Sequence, residues 1–272
     1  MPAPDLSTRA VYALCISKTA STTKARLQAL EEDVVNAADQ FEAAASTADL
    51  HTLGSLKTNP SDEEDRTQLK KNYTQRLTSK DHPARDVYDK LKIEVSLCPL
   101  CAHRDVETLD HQLPKSQYPL LAVVPSNLVP ACRSCNTLKS DAGPKGAHDQ
   151  TLHPYFDDIG KEQWLYAQVH EVVPACVSFR VVPPPSWDSV LVARVRWHFQ
   201  TFDLAELYGN QAGRAMTSLR YVLKRKAPSS IPGYLQDEAE GGADEDPNSW
   251  KAAMLQALAG NAWYINGGFA LE

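Results

Sequence analysis

Four cysteines constrain this chain more than any other feature. They fall in two close pairs, "CPLC" at 98–101 and "CRSC" at 132–135, with 30 residues between the pairs. The turn inside a C-x₂-C pair lets two thiolates reach one ion, and two such pairs complete a tetrahedron. The spacing therefore predicts a zinc site with Cys98, Cys101, Cys132 and Cys135 as ligands. Four protein ligands leave no coordination position open, so this zinc is expected to be structural. His103 is a weaker alternative to one of the cysteines. Cys15 and Cys176 lie outside the pattern and are expected as buried thiols.

Six cysteines in a short exported chain would suggest disulfides. This chain has 272 residues, and its N-terminus lacks both a basic lead and a long apolar run, so metal binding in a reducing cytoplasm is the expectation. No run of 18 apolar residues predicts a transmembrane helix. An apolar content of 43% with 23% charged residues belongs to a folded protein rather than a disordered one.

The net charge of −6 is unusual for a protein that grips nucleic acid, but the charges are segregated. Residues 236–246 carry six acids and no base. Residues 66–92 carry eight basic residues against three Asp, and residues 211–227 hold Arg214, Arg220, Lys224, Arg225 and Lys226 without an acid. Local basic surfaces are what a phosphate backbone meets. Each is equally readable as a solvated helix face.

The expected fold class is α+β. Apolar spacing at Leu27, Leu30, Val34, Ala37 and Phe41 predicts one helix over 22–48. Ser61, with Glu64 three residues on, predicts a capped helix over 62–78, and Pro83 opens a shorter one. A helical N-terminal region is thus expected over 1–94. The cysteine block occupies 95–160, with a strand ending near Leu109 and Asp110, a second strand-like piece at "NLVPA", and a helix opening at the second cysteine pair. A mixed α/β accessory region is expected over 161–235, with strands at 164–172 and 177–183 and helices capped by Ser186 and Asp203. Residues 236–272 are expected as a mobile acidic linker and a last helix.

Between the cysteine pairs lies "LDHQLPK" at 109–115. A carboxylate beside an imidazole inside a metal-stapled loop is either a polar turn or a reactive centre. Phosphodiester hydrolysis needs a base for water and a cation for the phosphate. A neutral imidazole, with its ordinary pKa of about 6.5, suits the first need. Neighbours on a regular strand point to opposite faces, so Asp110 and His111 serve one centre only where the strand ends or bends.

The block "CPLC", "LDHQLPKS", "SNLVPACRSCN" and Lys139 resembles the HNH endonuclease family, in its stand-alone bacterial type with a ββα-metal fold and a four-cysteine zinc site. The resemblance spans about 44 of the 272 residues. It implies that His111 is the general base, that Asp110 and Asn136 hold one catalytic Mg²⁺ or Mn²⁺, and that Asn127 pins the loop without touching metal. Family members often carry His where this chain has Asn136, and the change favours an oxygen-liking ion over zinc. Lys115 and Lys139 are read as phosphate contacts or exposed lysines. His148 and His153, with Asp157 and Asp158 nearby, either line the site or pack and cap loops around "HPYFD".

The resemblance further implies a DNA-cutting hydrolase of restriction or anti-phage defence, sometimes partnered by an ATPase. Two other readings stand beside it. One is a zinc-stabilised nucleic-acid-binding or scaffolding module without catalysis, and the other is an HNH enzyme acting on RNA.

Overall fold

A computed structural model of the chain describes residues 1–160 and 162–271. The chain is mixed α and β, rich in helix, with two small two-stranded antiparallel sheets among the described residues. It divides into two compact units, Met1–Asp157 and Asp158–Glu272. Among the described residues, no helix is long and apolar enough to cross a membrane.

The first unit begins with α1 (Thr8–Ile16), α2 (Ser21–Ala29) and α3 (Glu31–Ser46). The single helix expected over 22–48 is broken at Leu30, whose ψ of 0° leaves the helical range. The acidic run Glu31, Glu32 and Asp33 falls in the first turn of α3. Carboxylates there complement the positive end of the helix dipole, so this run marks a new N-terminus rather than a helix interior. Arg9 of α1 binds Glu31 and Glu32 at 2.5 and 2.8 Å and ties the two helices together.

Next comes α4 (Glu63–Lys71), which passes into a π-helical segment, Asn72–Leu77, and is followed by α5 (Arg85–Ile93). Asp62 caps α4 by accepting from the Asp65 amide at 3.0 Å, in place of the expected Ser61.

β1 (Thr108–His111) pairs with β2 (Leu128–Ala131), Asp110 opposite Val129 and His111 opposite Leu128, and α6 (Arg133–Lys139) follows at once. The connection over 112–127 is no surface loop. Leu113, Leu120, Leu121 and Val124 are buried in one core with Tyr12, Leu27, Phe41 and Leu91. Each such side chain contributes roughly 1.5–3 kcal/mol of burial. The helices and the cysteine block therefore share a core, and the boundary expected at 94/95 does not divide it.

The second unit holds β3 (Leu165–His170), β4 (Cys176–Val181), α7 (Ser189–Thr201), α8 (Leu204–Leu223), α9 (Ile231–Glu245), α10 (Trp250–Ala259) and α11 (Ala262–Ile265). β3 and β4 form an antiparallel hairpin. Val177 and Phe179 of β4 are buried, and the Phe179 ring meets Tyr208 of α8 edge-on at 5.6 Å. The cap of α7 is Asp188 rather than Ser186, whose hydroxyl instead bonds the Glu162 carboxylate at 2.8 Å. Asp203 precedes α8 in the left-handed region, with φ 51°, and its side chain makes no cap bond.

Residues 236–245, expected as a mobile linker, are the body of α9. Leu235 and Ala239 are buried, and Gly242 lies one turn further along the same face. A Cβ built at Gly242 would stand 3.5 Å from the Ala252 backbone, so the small residues let α9 pack closely on α10. The acids take the other face. Cys15 is buried as expected, whereas Cys176 is exposed at the start of β4.

Candidate functional site

The sulfurs of Cys98, Cys101, Cys132 and Cys135 lie within 4.8 Å of one another, all buried, and could hold a metal ion. The first pair sits in a tight turn. Cys101 and Ala102 amides donate to the Cys98 carbonyl at 3.2 and 2.8 Å, and Ala102 takes a φ of 46°. In the second pair Cys132 is the N-cap of α6, its sulfur accepting from the Cys135 amide at 3.3 Å.

Three of the thiols, Cys98, Cys101 and Cys135, share protons unequally. Hydrogen bonds from Cys135 and Cys98 pull Cys101 down to about 2. Cys98 is pushed up to about 12 through its bond to Cys101, and Cys135 is pushed up through the same neighbour. Such a nest of sulfurs could hold a thiophilic cation.

The cluster sets the position of α6 directly, because the Asn136 amide donates to the Cys132 carbonyl at 3.1 Å. Asn136 and Lys139 thus hang from the cysteine-bearing end of the hairpin.

Asn127 closes the long connection between the strands. Its Oδ1 accepts from the Leu113 amide at 2.7 Å, and its Nδ2 donates to the carbonyls of Leu113 and Leu121 at 3.1 and 3.0 Å. The side chain is fully buried. An amide is the one short side chain that can both donate and accept in this way.

The loop so held delivers the Ala122 carbonyl to His111 Nε2 at 2.9 Å. A carbonyl only accepts, so Nε2 carries the proton and Nδ1 is the unprotonated nitrogen. Tyr73, from the π-helical segment, packs edge-on against the imidazole with centroids 4.4 Å apart, and its hydroxyl donates to the Leu109 carbonyl at 2.9 Å.

Asp110 and His111 face one polar cavity of about 220 Å³, together with Tyr73, Lys115, Asn136 and Asp141. β1 ends at His111, which removes the up-and-down alternation expected of strand neighbours. Asp110 folds back so that Oδ1 accepts from the His111 amide at 2.8 Å. Its Oδ2 pairs with Lys139 Nζ at 3.1 Å, and the same ammonium donates to the His111 carbonyl at 2.5 Å. Lys139 is not an exposed lysine.

Burial pushes the His111 imidazole down to about 3, Lys115 and Lys139 add to the effect, and the Ala122 bond opposes it. The ring is neutral through the physiological range. Burial also pushes the Asp110 carboxyl up, against the charge and hydrogen bond of Lys139.

Lys115 lines the cavity, with its ammonium 5.2 Å from the centre of the Tyr73 ring. His153 lies elsewhere in the same unit, fully buried, with its ring against Phe41, Tyr155 and Phe156. Its amide donates to Asp157 at 2.7 Å. "HPYFD" therefore packs aromatics beneath the hairpin, and the Tyr155 hydroxyl donates to the Leu128 carbonyl of β2. His148 lies in a short turn, Ala147–Asp149, and does not line the cavity.

Part of the basic run 66–92 serves the fold. Arg66 donates to the Lys57 carbonyl, Arg76 to the Gln68 carbonyl and Arg85 to the Thr78 carbonyl. Tyr73, Ser140 and Asp141 of the cavity carry no signal in the sequence pattern. Only the fold brings Tyr73 to a histidine 38 positions away.

No protein-family model and no solved structure matches the chain. It is 33% identical to protein Ea31 of Escherichia phage lambda over 220 aligned residues, which take in 73% of this chain and 74% of that protein. A likeness of that extent makes the chain a member of the Ea31 family.

Proposed function

We propose that the chain is a metal-dependent HNH-type endonuclease acting on DNA, with the cavity at Asp110 and His111 as its active site. One observation carries the reading. A carboxylate, an amide-bearing residue and an imidazole of defined tautomer face one polar cavity, held there by the hairpin and helix that the cysteines join.

The cysteine cluster suits structural Zn²⁺, since four buried thiols at tetrahedral reach are its usual ligand set. The cavity suits a different ion, because Asp110 and Asn136 offer oxygen, which favours Mg²⁺ or Mn²⁺. Bound there, such an ion would neutralise charge on the phosphodiester during hydrolysis.

His111 Nδ1 takes the proton from the attacking water. Asn127 holds the loop whose carbonyl fixes that tautomer, and Tyr73 limits rotation of the ring. The low resting basicity of the imidazole rises when an anionic phosphate enters, because nearby negative charge favours the imidazolium. Lys115 stands where it can meet that phosphate. Place in a defence or restriction system, with an ATPase partner, is the biological context the family resemblance suggests.

A second reading, a zinc-stabilised binding module, is favoured by the Lys139 ion pair, which engages the carboxylate that a metal would need. The test is incubation of the zinc-loaded protein with supercoiled plasmid and with a single-stranded RNA, in Mg²⁺, Mn²⁺ or EDTA. Metal-dependent nicking of the plasmid supports the DNA nuclease. Cleavage of RNA alone moves the substrate class, and binding without cleavage of either supports the second reading.

A further inference from the structure

The Lys139 ammonium is buried inside the site, with only 4% of its side chain exposed. It makes two bonds there, to Asp110 Oδ2 at 3.1 Å and to the His111 carbonyl at 2.5 Å. Asp110 Oδ1 is engaged as well, by the His111 amide. Both oxygens of the one carboxylate on β1 that faces the cavity therefore have partners, and one partner is a full positive charge.

Removing an ammonium from water is costly and is offset only by a close counter-charge with good geometry. The same holds for the carboxylate. Each group is buried against the other, so Lys139 stands in the place of a cation on Asp110. Its backbone lies three residues beyond Asn136, which lines the cavity, so one helix, α6, carries both the ammonium on Asp110 and the amide.

We propose that Lys139 is the resident counter-cation of this site and competes with a divalent ion for Asp110. This rests on the reading of the cavity as a metal-dependent site. Two cations on one buried carboxylate repel each other strongly, because the surroundings screen them far less than water does. The ion binds weakly while the ammonium holds Oδ2, and tightly once the ammonium withdraws. A phosphodiester entering the cavity supplies negative charge that offsets the second cation, so substrate and ion enter together. Lys139 is a positioning residue: it acts through Asp110 and through the backbone of His111.

The experiment uses the full-length, zinc-loaded protein and Mn²⁺ alone as the probe, with free Mn²⁺ followed by its electron paramagnetic resonance signal. Lys139→Met, which keeps most of the length of the side chain and removes its charge, should bind Mn²⁺ roughly 10-fold tighter than wild type or more. The double variant Asp110→Asn/Lys139→Met should lose that gain. Thermal melts supply a second readout. Lys139→Met should melt below wild type and recover most of the loss in Mn²⁺, while the double variant should melt higher than Lys139→Met and ignore Mn²⁺.

Equal or weaker Mn²⁺ binding by a folded Lys139→Met overturns the proposal, as does a melting loss that Mn²⁺ does not restore. If wild type nicks DNA with Mn²⁺ yet binds the ion as tightly as the variant, competition fails and the nuclease stands. Where Lys139→Met does not fold, the buried ammonium of wild type is followed by ¹⁵N NMR during a Mg²⁺ titration. Its protected signal should disappear as Mg²⁺ binds, and a signal unchanged at saturating Mg²⁺ rejects the idea.

Discussion

His111 Nε2 donates to the carbonyl of Ala122 at 2.9 Å, and this bond decides what the imidazole can do. It spends the one ring proton on the loop and leaves Nδ1 to accept another. Ala122 is in place because Asn127 ties Leu113 to Leu121 across the same loop.

The first prediction concerns that tautomer and its pH range. The folded His111 has its pKa at about 3, below the ordinary value of roughly 6.5, so the native state binds fewer protons than the unfolded one between those values. The stability from keeping the ring neutral is complete above about pH 6.5 and is lost as pH falls toward 3. Long-range ¹H–¹⁵N NMR should show a neutral Nε2–H ring unchanged from pH 8 to pH 5. A midpoint near 6.5 would show that the ring is solvated.

Asn127→Ala removes three hydrogen bonds and strands the backbone amide and carbonyl of buried Leu113. The expected loss is about 3 kcal/mol in urea unfolding, at roughly 1 kcal/mol per net bond with more for unpaired buried groups. A change below about 0.5 kcal/mol would mean that the loop is held by its apolar residues alone.

Cys132→Ser should lose the bound metal and melt well below wild type, because Cys132 is both a cluster member and the N-cap of α6. Elemental analysis of wild type should give one zinc per chain. Binding must expel protons from Cys98 and Cys135, so affinity should fall as pH is lowered, and a titration in two buffers of different ionisation heat measures the protons released. Full metal content in Cys132→Ser would remove that residue from the ligand set.

Gly242→Ala should stabilise the second unit by up to about 1 kcal/mol, since a methyl meets Ala252 at ordinary contact distance and helix propensity improves. Gly242→Leu should destabilise it by overpacking. If residues 236–245 were a linker, neither change would move the melting temperature.

What the sequence disclosed followed from strict local chemistry. Two C-x₂-C pairs, the strands between them, the β3–β4 hairpin and helices α7, α8 and α10 all carry signals within a few residues. The failures at a distance share one cause, which is tertiary context, while the misplaced caps and the break at Leu30 are local. The break at Leu30 looks like helix interior by apolar spacing, and only the acids after it mark the new start. The stretch 236–245 reads as disordered because its acids dominate, yet Leu235, Ala239 and Gly242 form a face that another helix covers. Tyr73 reaches His111 across a fold that no spacing predicts. Lys139 reads as a phosphate contact or an exposed lysine, because lysine is almost never fully buried. Its burial beside Asp110 is a property of the packed site.

The central claim is that His111 performs chemistry in a framework the cysteines hold. The measurement that tests it most directly is the plasmid-nicking rate of His111→Ala against wild type in Mn²⁺, with both proteins matched for zinc content. The account predicts a rate loss on the order of 100-fold or more, the usual contribution of a general base, with bound zinc unchanged. Nicking by His111→Ala at the wild-type rate would contradict it and would place the reactive centre elsewhere in the molecule.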